Sequence, residues 1–213
     1  CQEYNFILDL DYEKNEFNMP LVKSLFENAK RYEKYDVYCY LNSDIKFQSS
    51  PQKFIDSVEQ EDFLLIGQRL DLYPDGKTKL HNPGGIDYFF YTKNFWSIEK
   101  EMPEFAIARG RFDHYITGYA LEKGNGPVID LTEDWKPIHP EPINRISGDF
   151  VEHYNNGNYK LAYQMFRNNI HYGYGQKHGQ TNMTKYYFKD GKILKRENTI
   201  KNEFGVILWY TVS

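Results

Sequence analysis

The stretch DVYCYLNSDIKF, Asp36 to Phe47, decides how this chain is read. Val37 to Leu41 are β-branched, aromatic or apolar, the composition of a buried strand. Asn42, Ser43 and Asp44 then interrupt the run before an apolar residue returns at Ile45. In open α/β sheets, ligands bind beyond the carboxyl ends of the strands, so a carboxylate at a strand tip faces a crevice. Asp44, beside the amide of Asn42, suits a hard divalent cation, which takes oxygen ligands and commonly bridges to substrate phosphates. The same residue would also serve to cap the following turn.

Outward from this stretch, strands and helices alternate. Upstream, YNFILDL (Tyr4 to Leu10) reads as a short strand. MPLVKSLFENAKRYEKY follows, with Leu21, Leu25, Phe26 and Ala29 at helical spacing after a proline suited to a first turn. Downstream, SPQKFIDSVEQ reads as a capped helix, DFLLIGQRL as a buried strand, YPDGK as a turn and IDYFFYT as another strand. A helix is expected from about Arg111 to Glu122, and GPVIDLT closes the alternation. Strands joined by helices imply an α/β layer with a mixed, largely parallel central sheet. The last third changes character: Asn, Gly, Tyr and His dominate, and KYYFKDGKILKRE reads as a hairpin turning at Asp190-Gly191. The long segment from Asn155 to Asn182 has the composition of a lid.

Composition limits the partners. With 213 residues, 40% of them hydrophobic, the chain can bury one substantial core and is expected to form a single domain. The formal net charge of -4 offers no basic field for nucleic acid or an anionic membrane. Nothing in the sequence reads as a membrane span or a signal peptide. The two cysteines, Cys1 and Cys39, form no framework; Cys39 lies in an apolar run where a buried, reduced thiol is the expectation, which favours the cytoplasm.

NEFNMPLVKSLFENA, CYLNSDI, FLLIGQRLDL, LHNPGGIDYFFY, MPEFAIARGRFDHYITGYAL, GPVIDLT and IHP follow one another between Asn15 and Pro140. In that order they resemble a group of metal-dependent glycosyltransferases of the GT-A type. The resemblance implies a single-domain, GT-A-like (Rossmann-like) sandwich: an α/β nucleotide-sugar part over 1–140 and a loop-rich lid with a hairpin over 141–213. It implies transfer of a hexosyl or deoxyhexosyl group from a nucleotide diphosphate sugar to a glycan or glycoprotein acceptor, with inversion, assisted by Mn²⁺ or Mg²⁺. Asp44 and Asn42 stand where such enzymes carry an Asp-x-Asp metal motif. His139 matches the position at which a histidine returns to the metal, with His171 and His178 as alternatives. Asp113, at a helix start, resembles the acidic base of inverting members, and a helix N-terminus favours its carboxylate. It would equally serve as a plain helix-start charge. Gly84 and Gly85 would let backbone approach a ligand, and Asp87 would accept hydrogen bonds from sugar hydroxyls. Arg69 and Asp71 would face the same crevice, with Arg69 able to fork onto phosphate or carboxylate.

Asn42 departs from the family pattern, since an amide oxygen ligates more weakly than a carboxylate. The only literal Asp-x-Asp, Asp9 and Asp11, lies upstream of the metal motif and ranks second. Enzymes of this pattern carry another strand or two before NEF, so that here either the base pocket is minimal or the chain begins inside a larger protein. A non-catalytic carbohydrate- or nucleotide-binding domain of the same fold is one alternative, and a sugar nucleotidyltransferase another.

Overall fold

The computed structural model describes residues 9–81, 86–107, 112–140, 185–196, 199–201 and 207–209. The expected strand from Tyr4 lies largely outside them, as do Gly84, Gly85, His171, His178 and the segment from Asn155 to Asn182. The chain divides into two compact units: one of Cys1–Tyr35, Ser97–Phe112 and Gly148–Tyr172, the other of Asp36–Trp96, Asp113–Ser147 and Gly173–Ser213.

In the first unit, helix α1 (Val22–Lys30) is about half as long as the apolar spacing predicts. Its inward face carries Val22 and Phe26 together with two polar residues, Ser24 and Asn28. Both are satisfied: the Ser24 hydroxyl donates to the Leu21 carbonyl and accepts from the Glu13 N–H, while the Asn28 amide donates to the Asp11 carbonyl. Beside α1, a single turn of 3-10 helix at Ile98–Lys100 brings Glu99 within 2.7 Å of Lys30.

The second unit is built on strands β1 (Val37–Leu41), β2 (Leu64–Gly67), β3 (Leu70–Leu72), β4 (Thr78–Leu80), β5 (Tyr88–Thr92), β6 (Val128–Asp130), β7 (Ile138–Pro140), β8 (Lys185–Lys189), β9 (Lys192–Arg196), β10 (Thr199–Lys201) and β11 (Ile207–Trp209). Helix α2 (Gln52–Ile55) and all but the first residue of α3 (Phe112–Lys123) belong with them. Six strands form one sheet in the order β1-β5-β2-β6-β8-β9, three form a second, β4-β3-β7, and β10 pairs with β11. The fold is therefore mixed α/β, with more strands than helices.

Two expectations are corrected. The sheet is mixed but not largely parallel: β1/β5, β2/β5 and β8/β9 run antiparallel, and only β2/β6 and β6/β8 run parallel. The cause is β5, which enters between β1 and β2 after the β3–β4 hairpin rather than after a crossover helix. Cys39 is also exposed rather than buried, on the edge strand β1.

The central strands carry the core. All five residues of β5 and all four of β2 are buried, as continuous apolar runs require in strands covered on both faces. Trp135 packs against Tyr88 at 5.0 Å, Phe90 at 5.9 Å and Phe54 at 5.9 Å between ring centroids. Phe188 from β8 meets Phe54 edge-on at 4.9 Å. At Gly67 the fit leaves no room for a side chain: an added Cβ would lie 1.9 Å from the Tyr88 hydroxyl, which is anchored on the Trp135 carbonyl at 3.2 Å. Gly67→Ala is expected to lower stability by about 1–3 kcal/mol through overpacking, read as a fall in the urea midpoint with an unchanged slope. An unshifted midpoint would mean that Tyr88 moves aside freely.

Candidate functional site

The tip of β1 meets the rest of the site where three segments leave the main sheet and pair again. The parallel pair β2/β6 ends with two ties: the Leu131 N–H donates to the Ile66 carbonyl at 2.8 Å, and the Gln68 N–H to the Thr132 hydroxyl at 3.0 Å. Both chains then bend and pair again, still parallel, as β3/β7, with Asp71 opposite His139. The segment after β1 completes the edge. Asn42 to Ile45 form a turn closed by the Ile45 N–H on the Asn42 carbonyl at 3.2 Å, and Lys46 then pairs antiparallel with Ile138. Asp44 is thereby laid beside His139, its Oδ2 2.9 Å from Nε2.

The other candidates arrive by the same ladders. β4 runs antiparallel to β3, and the His81 N–H continues that ladder to the Arg69 carbonyl at 3.2 Å. This places His81 Nδ1 2.7 Å from Asp71 Oδ2. Asp87 donates its N–H to the Gly67 carbonyl at 3.0 Å, and its Oδ2 accepts the Arg69 N–H at 3.2 Å. The Arg69 guanidinium donates through Nε to Asp71 Oδ1 at 3.1 Å and through Nη1 to Asp87 Oδ1. Asp113 lies in the first turn of α3, and its charge reaches both Asp87 and Tyr40.

Asn42, Asp44, Arg69, Asp71, Asp87, Asp113 and His139 thus all belong to one unit, where Asp44 touches His139 and Arg69 ties Asp71 to Asp87. Exposure separates their roles. Asp44 is open to solvent, with 53% of its side chain accessible, and Asn42 is exposed in the same turn. Arg69, Asp71 and Asp87 are turned inward, at 11%, 4% and 7%. Of the two partners the sequence reading allows Arg69, phosphate or carboxylate, its fork here takes two carboxylates. Gly84 and Gly85 lie outside the described residues. The literal Asp-x-Asp belongs to the other unit, where Asp9 Oδ1 accepts the Asp11 N–H at 2.9 Å and Asp11 pairs with Arg31 at 2.5 Å.

Electrostatics divide the two buried carboxylates. Burial alone would raise the Asp71 pKa, but hydrogen bonds from His81 and Arg69, with their charges, outweigh it and hold the group below the ordinary 3.8. At Asp87 burial dominates, Arg69 and His81 offset only part of it, and the charge of Asp113 adds to the rise above 3.8. The Tyr40 phenol is pushed up as well, first by burial and then by Asp113. Linkage gives these shifts opposite signs. Asp71 contributes stability above its unfolded value, and loses it as pH falls through the lowered folded value. Asp87 contributes stability only below its unfolded value, and loses it as pH rises through the raised one. Because Asn mimics the protonated acid, raising the pH from about 3 to about 7 is expected to widen the stability deficit of Asp71→Asn and to narrow that of Asp87→Asn. Urea midpoints across that range test this, and two deficits moving in the same direction would refute the division.

His81 is the member that sequence reasoning missed. Its one signal was its place between the TKL run and NPGG. A cavity of about 780 Å³ in the same unit lies elsewhere, at the amino end of β6, lined among others by Glu59, Gln60, Pro127 and Leu194. It includes none of the residues above. Among the described residues, no helix is long and apolar enough to cross a membrane, and no group of three or more His, Cys, Asp and Glu is arranged to hold a metal ion. Compared with protein-family models, curated proteins and solved structures, the chain matches none.

The donor set still fits one kind of cation. A carboxylate and an imidazole 2.9 Å apart, one exposed and one buried with an orphaned Nδ1, make a two-donor site. Mg²⁺ and Mn²⁺ bound with a diphosphate take most of their ligands from phosphate and water, and ask the protein for only one or two.

Proposed function

We propose that this chain is a metal-dependent glycosyltransferase acting on a nucleotide diphosphate sugar, with inversion, toward a glycan or glycoprotein acceptor. The observation that carries the reading is the contact between Asp44 and His139. They lie far apart in the sequence, at the two motif positions that the resemblance assigns to the metal, and they meet at 2.9 Å at the carboxyl ends of the strands. Asp44 and His139, with the Asn42 amide, would hold Mn²⁺ or Mg²⁺. Such an ion supplies Lewis-acid stabilisation of the departing diphosphate.

The remaining residues have definable work. Asp113 accepts the proton of the acceptor hydroxyl, which requires it to be ionised and within reach of the sugar face opposite the phosphate. Arg69 does not touch the donor in this reading; it neutralises Asp71 and Asp87 and so fixes the wall of the site. Asp87 accepts from Arg69 on both oxygens, the guanidinium on Oδ1 and the N–H on Oδ2, and would meet sugar hydroxyls through the second lone pair of each. Phe47, 39% exposed and tilted against Trp135 at 4.8 Å between ring centroids, gives the segment after Asp44 an aromatic face of the type on which sugar rings pack.

A panel of nucleotide sugars tested by thermal shift with and without Mn²⁺ decides the matter. Metal-dependent stabilisation followed by release of nucleoside diphosphate is the expected result. Binding without turnover would favour a non-catalytic domain, which Asn42 in place of a carboxylate makes the second reading. Pyrophosphate release from a nucleoside triphosphate and a sugar phosphate would make it a nucleotidyltransferase.

A further inference from the structure

His139 is 5% exposed and lies between two carboxylates. Its Nε2, 2.9 Å from Asp44 Oδ2, must carry the proton if the two are to hydrogen-bond. In the neutral ring Nδ1 is then a bare lone pair, and this buried nitrogen has no hydrogen-bond partner. Across the β3/β7 ladder its register partner is Asp71, whose Oδ1 stands 3.7 Å away. A lone pair facing a carboxylate oxygen is unfavourable, whereas a proton on Nδ1 makes the same approach a hydrogen bond after a sub-ångström closure. Asp71 accepts on both of its oxygens. Oδ1 takes Arg69 Nε at 3.1 Å and Oδ2 takes His81 Nδ1 at 2.7 Å, and each oxygen offers two lone pairs.

We propose that Asp71 is the positioning residue of the cation site: it accepts Nδ1–H from His139 and so turns Nε2 into a lone-pair donor beside Asp44. The inference rests on reading Asp44 and His139 as cation ligands. The arrangement with Nε2–H on Asp44 is the resting one, exchanged for Nδ1–H on Asp71 when a cation takes the Asp44 carboxylate. A carboxylate behind a ligating imidazole fixes its tautomer and strengthens it as a ligand. The same carboxylate holds His81 by the same nitrogen, so one buried group sets two imidazoles. Arg69 donates to that carboxylate at 3.1 Å and holds it in place.

The test titrates Mn²⁺ alone into the protein and reads free Mn²⁺ by EPR. Asp71→Asn is expected to weaken binding about 10-fold or more, the scale of a lost outer-shell carboxylate. In a His139→Gln background, the same change should cost less than about twofold, because the effect runs through the ring. An equal loss in both backgrounds, or none in either, overturns the proposal. Long-range ¹H–¹⁵N NMR of the wild-type protein needs no variant to fold. The His139 proton should sit on Nε2 without cation and on Nδ1 with Mg²⁺, and a proton that stays on Nε2 overturns the proposal. A wild-type protein that binds no Mn²⁺ removes the cation reading and this one with it. Normal Mn²⁺ binding with no Asp71 effect removes this one alone.

Discussion

Asp44→Asn is expected to leave the protein folded and to remove most of its turnover. The side chain is 53% exposed and adds little to the core, and an Asn oxygen can still accept from His139 Nε2 across the present 2.9 Å. What the substitution removes is the negative charge that would hold a divalent cation against a diphosphate. The loss should exceed the ~10–100-fold typical of changing a residue behind a metal ligand. Release of nucleoside diphosphate at saturating Mn²⁺, measured beside a melting curve, checks both halves of the expectation. Activity near that of the wild type would strike Asp44 from the site.

Asp113→Asn separates chemistry from binding. If Asp113 takes the proton of the acceptor, transfer should fall by ~100-fold or more, while affinity for donor and Mn²⁺ stays nearly unchanged. The helix tolerates the change: Asp113 is acidic in the first turn of α3, and its carbonyl, which accepts from the Thr117 hydroxyl at 3.0 Å, is retained. Removing its charge relieves Asp87 but gives up the favourable helix-start charge, so stability should change little. Loss of donor affinity would instead make Asp113 a sugar clamp, and full activity would return it to a helix-start charge.

Much of the second unit could be read from local pattern. Val37–Leu41, Leu64–Gly67 and Tyr88–Thr92 are apolar runs that sterics and burial leave few alternatives to a strand. The hairpin was legible for a sharper reason: Asp190 and Gly191 both adopt positive φ, 51° and 75°, which the Asp-Gly pair tolerates and most pairs do not. Strand direction was not legible. A buried run looks the same whether its neighbour runs with it or against it, and β5 took its place between β1 and β2 by long-range pairing alone. β4 and β7 span three residues each, too few for periodicity to register, yet they carry Asp71, His81 and His139 into contact. The candidate residues were therefore visible one by one, while Asp71 as their hub was a fact of register.

The pairing of β8 with β6 has a consequence for synthesis. β6 ends at Asp130 and β8 begins at Lys185, so on a ribosome moving at about 5–20 residues per second the two are separated by several seconds. Throughout that interval β6 is an open, wholly buried-type edge of Val, Ile and Asp, and Phe54 lacks the ring of Phe188. Such an edge is a template for other chains. In the folded protein the late hairpin closes this edge, since β8 pairs with β6 through Ile129 and Asp130.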